Sequence, residues 1–334
     1  MGERAFKKLQ YGKELKTAKG TPVAATSMFL GDADVPSDRK YVYPSYNLAV
    51  RARASEPHLY QQLVNGFPLI IDNGYFQALP MLFSMLLKGD ITAVMKTSGQ
   101  SDYDWPFTPL MTATSNAQDS MTFEIGDDVQ AYQLAYVMAK KLTISGGMGK
   151  DQAIKISADC FAKSVVPATF TGSLTIPTIE PMVANKTALY IDALWANKGT
   201  TLKSGLLRDF SLEIISGLHP KFHGGALTID AHGESYIDAM LKLTLEGNSA
   251  ADGYYDAMQA KTPMAIQLNI LGAQIGTGQT HWLKAAVWGV FDDIQPMGSE
   301  ADGDNLHVAL FHGLYGVTGA QILAVDVCTN KATV

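Results

Sequence analysis

The stretch Leu207–Gly217 reads LRDFSLEIISG, and its alternation decides the fold class. In an extended chain Phe210, Leu212 and Ile214 point one way and Asp209, Ser211 and Glu213 the other, because successive strand side chains alternate between faces. On a helix the same apolar residues would scatter around the axis. Leu241, Leu243 and Leu245 oppose Lys242, Thr244 and Glu246 in the same manner, and Met264, Ile266, Leu268 and Ile270 form a third stripe. One apolar and one polar face marks an antiparallel sheet with one buried side.

Outward from this centre the period stays mostly two. Upstream, Met121, Phe123 and Ile125 alternate with Thr122, Glu124 and Gly126, and Lys141–Ser145 and Ile154–Phe161 alternate as well. Downstream come strand-like runs at Trp282–Phe291, Leu306–Leu314 and Ile322–Cys328, with Trp282 and Trp288 expected on one face as core. Val129–Lys140 is ambiguous, because its Ala, Gln, Leu, Met and Lys suit a helix. Two helices are expected, at Tyr75–Lys88, where Pro80 marks an early turn or kink, and at Ala250–Ala260. Further strand candidates are Lys40–Val50 and Leu69–Asp72. Residues 90–118 have no consistent pattern and read as a long loop or a hairpin.

Each half thus runs strands, one helix, strands. The predicted organisation is an N-terminal arm and loop (1–40), a first β-rich module (41–166, with the 90–118 loop) and a second (182–334), with the seam at Pro167–Pro181. Two divergent copies of one sandwich unit fit this order, and one large sandwich is the alternative.

The chain has 334 residues, 47% hydrophobic and 17% charged, enough for a sizeable core. Its net charge of −6 argues against a protein that grips nucleic acid by neutralising phosphates. In the first twenty residues Arg4, Lys7, Lys8, Lys13, Lys16 and Lys19 outnumber Glu3 and Glu14, which reads as a solvated, mobile arm or one that orders on a neighbouring subunit. No apolar stretch follows these charges, so no secretory signal is read, and none is long enough to span a bilayer; synthesis in cytoplasm is expected. Cys160 and Cys328 sit in apolar runs and are expected as buried free thiols.

Gly272–Gly278 is glycine-rich but lacks phosphate-loop spacing and reads as a turn. His219 and His223 are four apart, but Pro220 and Gly224-Gly225 forbid the helix that metal binding at that spacing needs. Asp32, Asp34 and Asp38, and Asp302 and Asp304, read as turn aspartates. Glu124, Glu213 and Glu246 could supply a glycosidase carboxylate pair, although each holds a polar strand position where a solvated face is simpler. No catalytic, cofactor-binding or metal residue is assigned, and a non-enzymatic role is expected.

Several segments together resemble the major tail tube proteins of long-tailed, non-contractile phages. They are KLTIS at Lys141–Ser145, IKISADCF at Ile154–Phe161, TFT at Thr169–Thr171, ALYID at Ala188–Asp192, Leu207–Gly217, LKLTLE at Leu241–Glu246, PMAIQLN at Pro263–Asn269 and the strand pair around Asp302–Asp304. Gly20–Pro22 resembles the family's start; the rest of the first 120 residues does not align. The resemblance favours strand for Val129–Lys140. It implies mainly β, antiparallel sandwich or barrel modules, each with one packed helix. It also implies a structural virion protein forming stacked rings, three-subunit with pseudo-sixfold symmetry where two modules are fused, or six-subunit otherwise. The tail tube so built would meet tape measure, tail terminator and distal tail proteins, and DNA would transit its lumen unbound. An acidic or neutral lining would repel phosphates. Residues 90–118 and the basic arm are the expected ring-to-ring contacts. A tube protein of a contractile tail or injection machine is the alternative, and a β-sandwich carbohydrate-binding protein or glycoside hydrolase is one from another class.

Overall fold

The computed structural model describes residues 6–43, 57–149, 153–301, 303–316, 319 and 321–334. The chain is mainly β with large antiparallel sheets. Its first half contains β1 (Lys8–Lys13), β2 (Val64–Ile71), helix α1 (Leu79–Leu86), β3 (Tyr103–Pro106), β4 (Met121–Gly126), β5 (Ala131–Gly147), β6 (Lys155–Ala162) and β7 (Ser164–Ala168). The second contains β8 (Thr187–Asp192), β9 (Leu207–Ile215), β10 (Asp238–Glu246), helix α2 (Ser249–Gln259), β11 (Met264–Gln274), β12 (Thr280–Ala301), β13 (Asp304–Gly313) and β14 (Leu323–Thr329). Shorter strands are named by residue. No helix among the described residues is long and apolar enough to cross a membrane.

The alternation in β9 does what its sequence requires: Phe210, Leu212 and Ile214 are buried and their neighbours are not. Two long strands organise everything else. The first part of β5 pairs with β4 and β7, while its later part pairs with β6 and β9. The first part of β12 pairs with β11 and β14, and its later part with β13. A strand that leaves one sheet for another turns the corner between layers of a sandwich, and a bulge supplies the bend. Both long strands carry a bulge on the same rung, between Ala139 and Lys141 opposite β6 and between Phe291 and Asp293 opposite β13.

The equivalence extends beyond the long strands. β1 pairs with β4 as β8 pairs with β11, and β2 pairs with β6 as β10 pairs with β13. Each of β2 and β10 leads into its half's helix. The two halves therefore share one topology, although one large apolar core runs through both, from Leu9 and Phe123 to Phe311 and Val327.

The helices differ in kind. All eight residues of α1 are buried, so it is a core helix without a polar face, preceded by a short 3-10 turn at Phe76–Ala78. In α2 only Ala251 is buried; Asn248 caps its start, accepting from Ala250 N at 3.0 Å and Ala251 N at 3.2 Å. Val129–Lys140 lies almost wholly in β5, as a strand.

Three expectations are corrected. From residue 6 onward the N-terminal segment is no free arm: β1 pairs along its whole length with β4, and Leu9, Gln10 and Tyr11 are buried, while Glu3 and Arg4 lie outside the described residues. Its lysines are engaged within the chain, Lys7 with Asp32 and Asp34, Lys13 with Asp119, Lys16 with Asp90, and Lys19 with the Gln118 carbonyl. Burial of a two-sided strand outweighs the arm's charge, because lysine stems reach out to water or to carboxylates. Residues 90–118 hold the hairpin that is one of the two expectations, Val94–Met95 with β3, but they also contribute to the core rather than standing outside it. Val94–Met95 pairs with β3, β3 pairs with β14 of the second half, and Trp105 and Phe107 are fully buried. Of the expected strand Lys40–Val50, Arg39–Val42 pairs with His58–Gln62, Tyr43 is exposed beyond the strand, and residues 44–50 lie outside the described residues. Trp282 and Trp288 share a face as expected, but it is the half-buried outer face; Leu283, Ala285 and Val287 face the core.

Candidate assembly surface

The two halves are joined by a sheet edge. Residues Asp209–Ile215 of β9 pair with Lys141–Gly147 of β5, carrying the sheet from one half into the other. The hairpin that follows β9, His219–Lys221 with Ala231–Gly233, folds back over the first half. Its Leu218 and Ile229 close a small second core with Leu63, Tyr136, Met138 and Phe161. Tyr136 Oη lies 2.9 Å from His232 Nδ1, with the rings edge to face. Glu234 receives Asn116 N at 3.2 Å, the Ser115 hydroxyl and the Gln118 amide, tying the end of the 90–118 segment to the hairpin. Burial pushes the Glu234 carboxyl up, but these hydrogen bonds outweigh it and hold it below the ordinary range.

Burial, assisted by the Lys19 charge, lowers the His232 pKa from 6.5 to about 4. The unfolded chain takes up a proton below its ordinary value that the folded chain refuses, so stability is lost as pH falls from about 6.5 toward 4. His232→Gln is expected to flatten that loss. Hydrogen exchange of the 219–233 amides at stepped pH measures it; equal acid sensitivity in variant and wild type would refute the role.

The residues singled out from sequence do not converge. His219 Nδ1 faces its own Gly217 carbonyl, whereas His223 pairs with Asp230 at 2.7 Å. Among the described residues no three His, Cys, Asp or Glu side chains group to hold a metal ion. Asp32 and Asp34 pair with Lys7, and Asp38 accepts from Gln62 at 2.6 Å and Val165 N at 3.0 Å. Arg208 joins Glu246 and Asp304, and Asp302 lies outside the described residues. Glu213 pairs with Lys141. Glu124, expected on a solvated face, is buried and accepts from Gln10 at 2.9 Å and from Thr171 N and Oγ1 at 2.7 Å each. It clips the segment after β7 back onto β4, and three partners offset its desolvation. Gly272–Gly278 lies at the turn from β11 to β12. Cys160 and Cys328 are buried free thiols, with burial raising both and Cys328 reaching about 12.

No protein-family model matches the chain, and no curated protein matches it in sequence.

The repeated topology instead points to the surface of interest. Asp32 bridges Ile70 and Leu63 N donates to the Asp38 carbonyl, so residues 32–38 flank β2 as Asp209–Ile215 flanks β10. The hairpin Arg39–Val42 with His58–Gln62 then stands where 219–233 stands in the second half. On the long strands, Lys163 N donates to the Ala135 carbonyl as Leu314 N donates to the Trp288 carbonyl, which sets Trp288 beside the position of Tyr136. Beyond Gly289, β12 pairs only with β13 among the described residues, and no strand pairs with the edge that corresponds to the β9-bearing edge of β5. Beside that edge a cleft of about 700 Å³ is lined by Leu194, Trp195, Pro263, Trp288, Leu314 and Tyr315.

A sequence signal for the repeat does exist. LKTAKGT at Leu15–Thr21 and LWANKGT at Leu194–Thr200 align without a gap. Each carries a 3-10 turn after its leucine, and a glycine at φ 80° that L side chains rarely adopt. Reading the first of these as part of an arm concealed it.

Proposed function

We propose that this chain is a structural protein of a phage virion, assembling with its own copies into stacked rings that form the tail tube through which DNA passes. One observation carries the reading: of two equivalent sheet edges, the one on β5 is covered by the chain's own β9, and the one on β12 is open among the described residues. An open edge is a template for pairing, and soluble proteins usually blunt it. Residues 32–38, equivalent to Asp209–Ile215, have no strand on their outer side among the described residues. The junction within the chain can then repeat between copies, head to tail, and a heterologous contact of that kind closes into a ring when the rotation permits. Two units per chain make six around a ring of three, in agreement with the trimer that the resemblance implies.

The intermolecular ladder is weaker than the internal one. Pro36 and Pro296 each remove a backbone donor, and Met297 lies at φ 56° in a bulge. Strand pairing then sets register, and side-chain contact supplies more of the affinity. The net charge of −6 supports passage of DNA without capture.

Electron microscopy of the concentrated full chain is expected to show rings and tubes with threefold rings modulated sixfold. A monodisperse monomer at every concentration, with no tubes, would overturn the proposal.

A further inference from the structure

We infer that the cleft of Trp195, Trp288 and Tyr315 receives the strand pair Arg39–Val42 with His58–Gln62 of a second copy. This rests on the assembly reading above and names the contact that reading leaves open.

The chain already contains one such contact. Its 219–233 hairpin sits on the first half, buries Leu218 and Ile229 against Met138 and Phe161, and lays His232 on Tyr136. No described residue covers the same position on the second half, beside Trp288. Leu194 is 58% exposed there, Leu314 44% and Tyr315 54%. Apolar side chains contiguous around a groove are a signature of a binding surface, whereas the same residues scattered singly would not be.

The occupant follows from the same correspondence. The hairpin equivalent to 219–233 is Arg39–Val42 with His58–Gln62. It bears Tyr41, Val42, Tyr43 and Tyr60, each between 43% and 62% exposed. Tyrosines supply large contact area with few rotatable bonds, and aromatic anchors in pockets dominate binding energy. Within one chain the base of this hairpin meets the second half's 219–233 hairpin where that lies over the first half, Gln62 N donating to the Leu227 carbonyl, and not the cleft. Only a neighbouring copy placed as the second half is placed on the first brings it to the cleft. Groove and hairpin lie at opposite ends of the repeat, so each copy offers one of each.

Two kinds of variant test this in the full chain. Leu194→Glu, and Tyr41→Glu with Tyr60→Glu, change exposed side chains and should leave the thermal unfolding of the monomer unchanged. Each is expected to raise the concentration needed for assembly about tenfold or more. A mixture of the two should stop at dimers, since only one of each pair of faces is intact. Separately, chains carrying Leu194→Cys and Tyr60→Cys are treated with a short bis-maleimide; the native thiols are buried and silent. Covalent dimers in the mixture, with neither variant alone giving them, are the expected result. If the wild type forms tubes while the Glu variants assemble as it does and the mixture gives no dimers, the docking contact is wrong and the assembly reading stands. A wild type that never assembles overturns both.

Discussion

Glu14→Ala is expected to cost about 3–5 kcal/mol of folding stability, measured as a shift in chemical denaturation. The Glu14 side chain is almost fully buried and accepts four hydrogen bonds, from Gly20 N, Ser120 Oγ, Thr122 Oγ1 and Tyr136 N, at 2.6 to 2.9 Å. These donors come from three elements: the turn after β1, β4 with its approach, and β5 where its register shifts against β4. Tyr136 is among the few non-glycine residues at positive φ, and its amide has left the regular ladder at the register shift between β4 and β5. The carboxylate replaces the lost ladder partner. Alanine would leave four buried donors unsatisfied, each worth about 1–3 kcal/mol before relaxation and water entry reduce the sum. Glu14→Gln keeps one strong acceptor and should lose less, about 1–3 kcal/mol. A Glu14→Ala protein as stable as wild type would show that the carboxylate does not hold these elements together.

Phe83→Ala should be comparably damaging, at about 3–5 kcal/mol by the same measurement. Phe83 is wholly buried on α1, 5.6 Å ring to ring from Phe107, which stacks in turn on Trp105 at 6.1 Å. The two partners come from the 90–118 segment that β3 anchors to β14. The cavity would therefore open between the halves, beneath the segment that β3 pairs to β14. Tyr255→Ala on α2 removes a larger side chain from a partly exposed site and should cost only roughly 1–2 kcal/mol. Equal losses on the two helices would contradict their different burial.

Period-two alternation identified β9 and β10, where one face is buried and the other is not, and β4 and β11, whose apolar and polar residues alternate although β4 is buried on both faces. α1 was legible from its bounding glycines, and α2 from its position between two stripes. β5 was ambiguous because it changes sheets part-way: its first residues are buried on both faces, which erases the alternation. β1 and Trp105 were missed for a related reason. Local composition describes lysines and turn residues well, but it cannot say that a distant strand will cover them. The paired sequences at Leu15–Thr21 and Leu194–Thr200 were the one local clue to the first unit's true start.

The order of elements, the sheet class and the existence of two comparable units were determined by the sequence itself, since alternation and turn residues act over a few positions. Which edge is covered, which aromatic cleft stays open, and where Glu14 sends its carboxylate were decided by tertiary structure alone. Those depend on contacts between residues a hundred or more positions apart, such as Glu14 with Tyr136. No short-range propensity encodes them, and they arise only once the long strands have turned from one layer into the other.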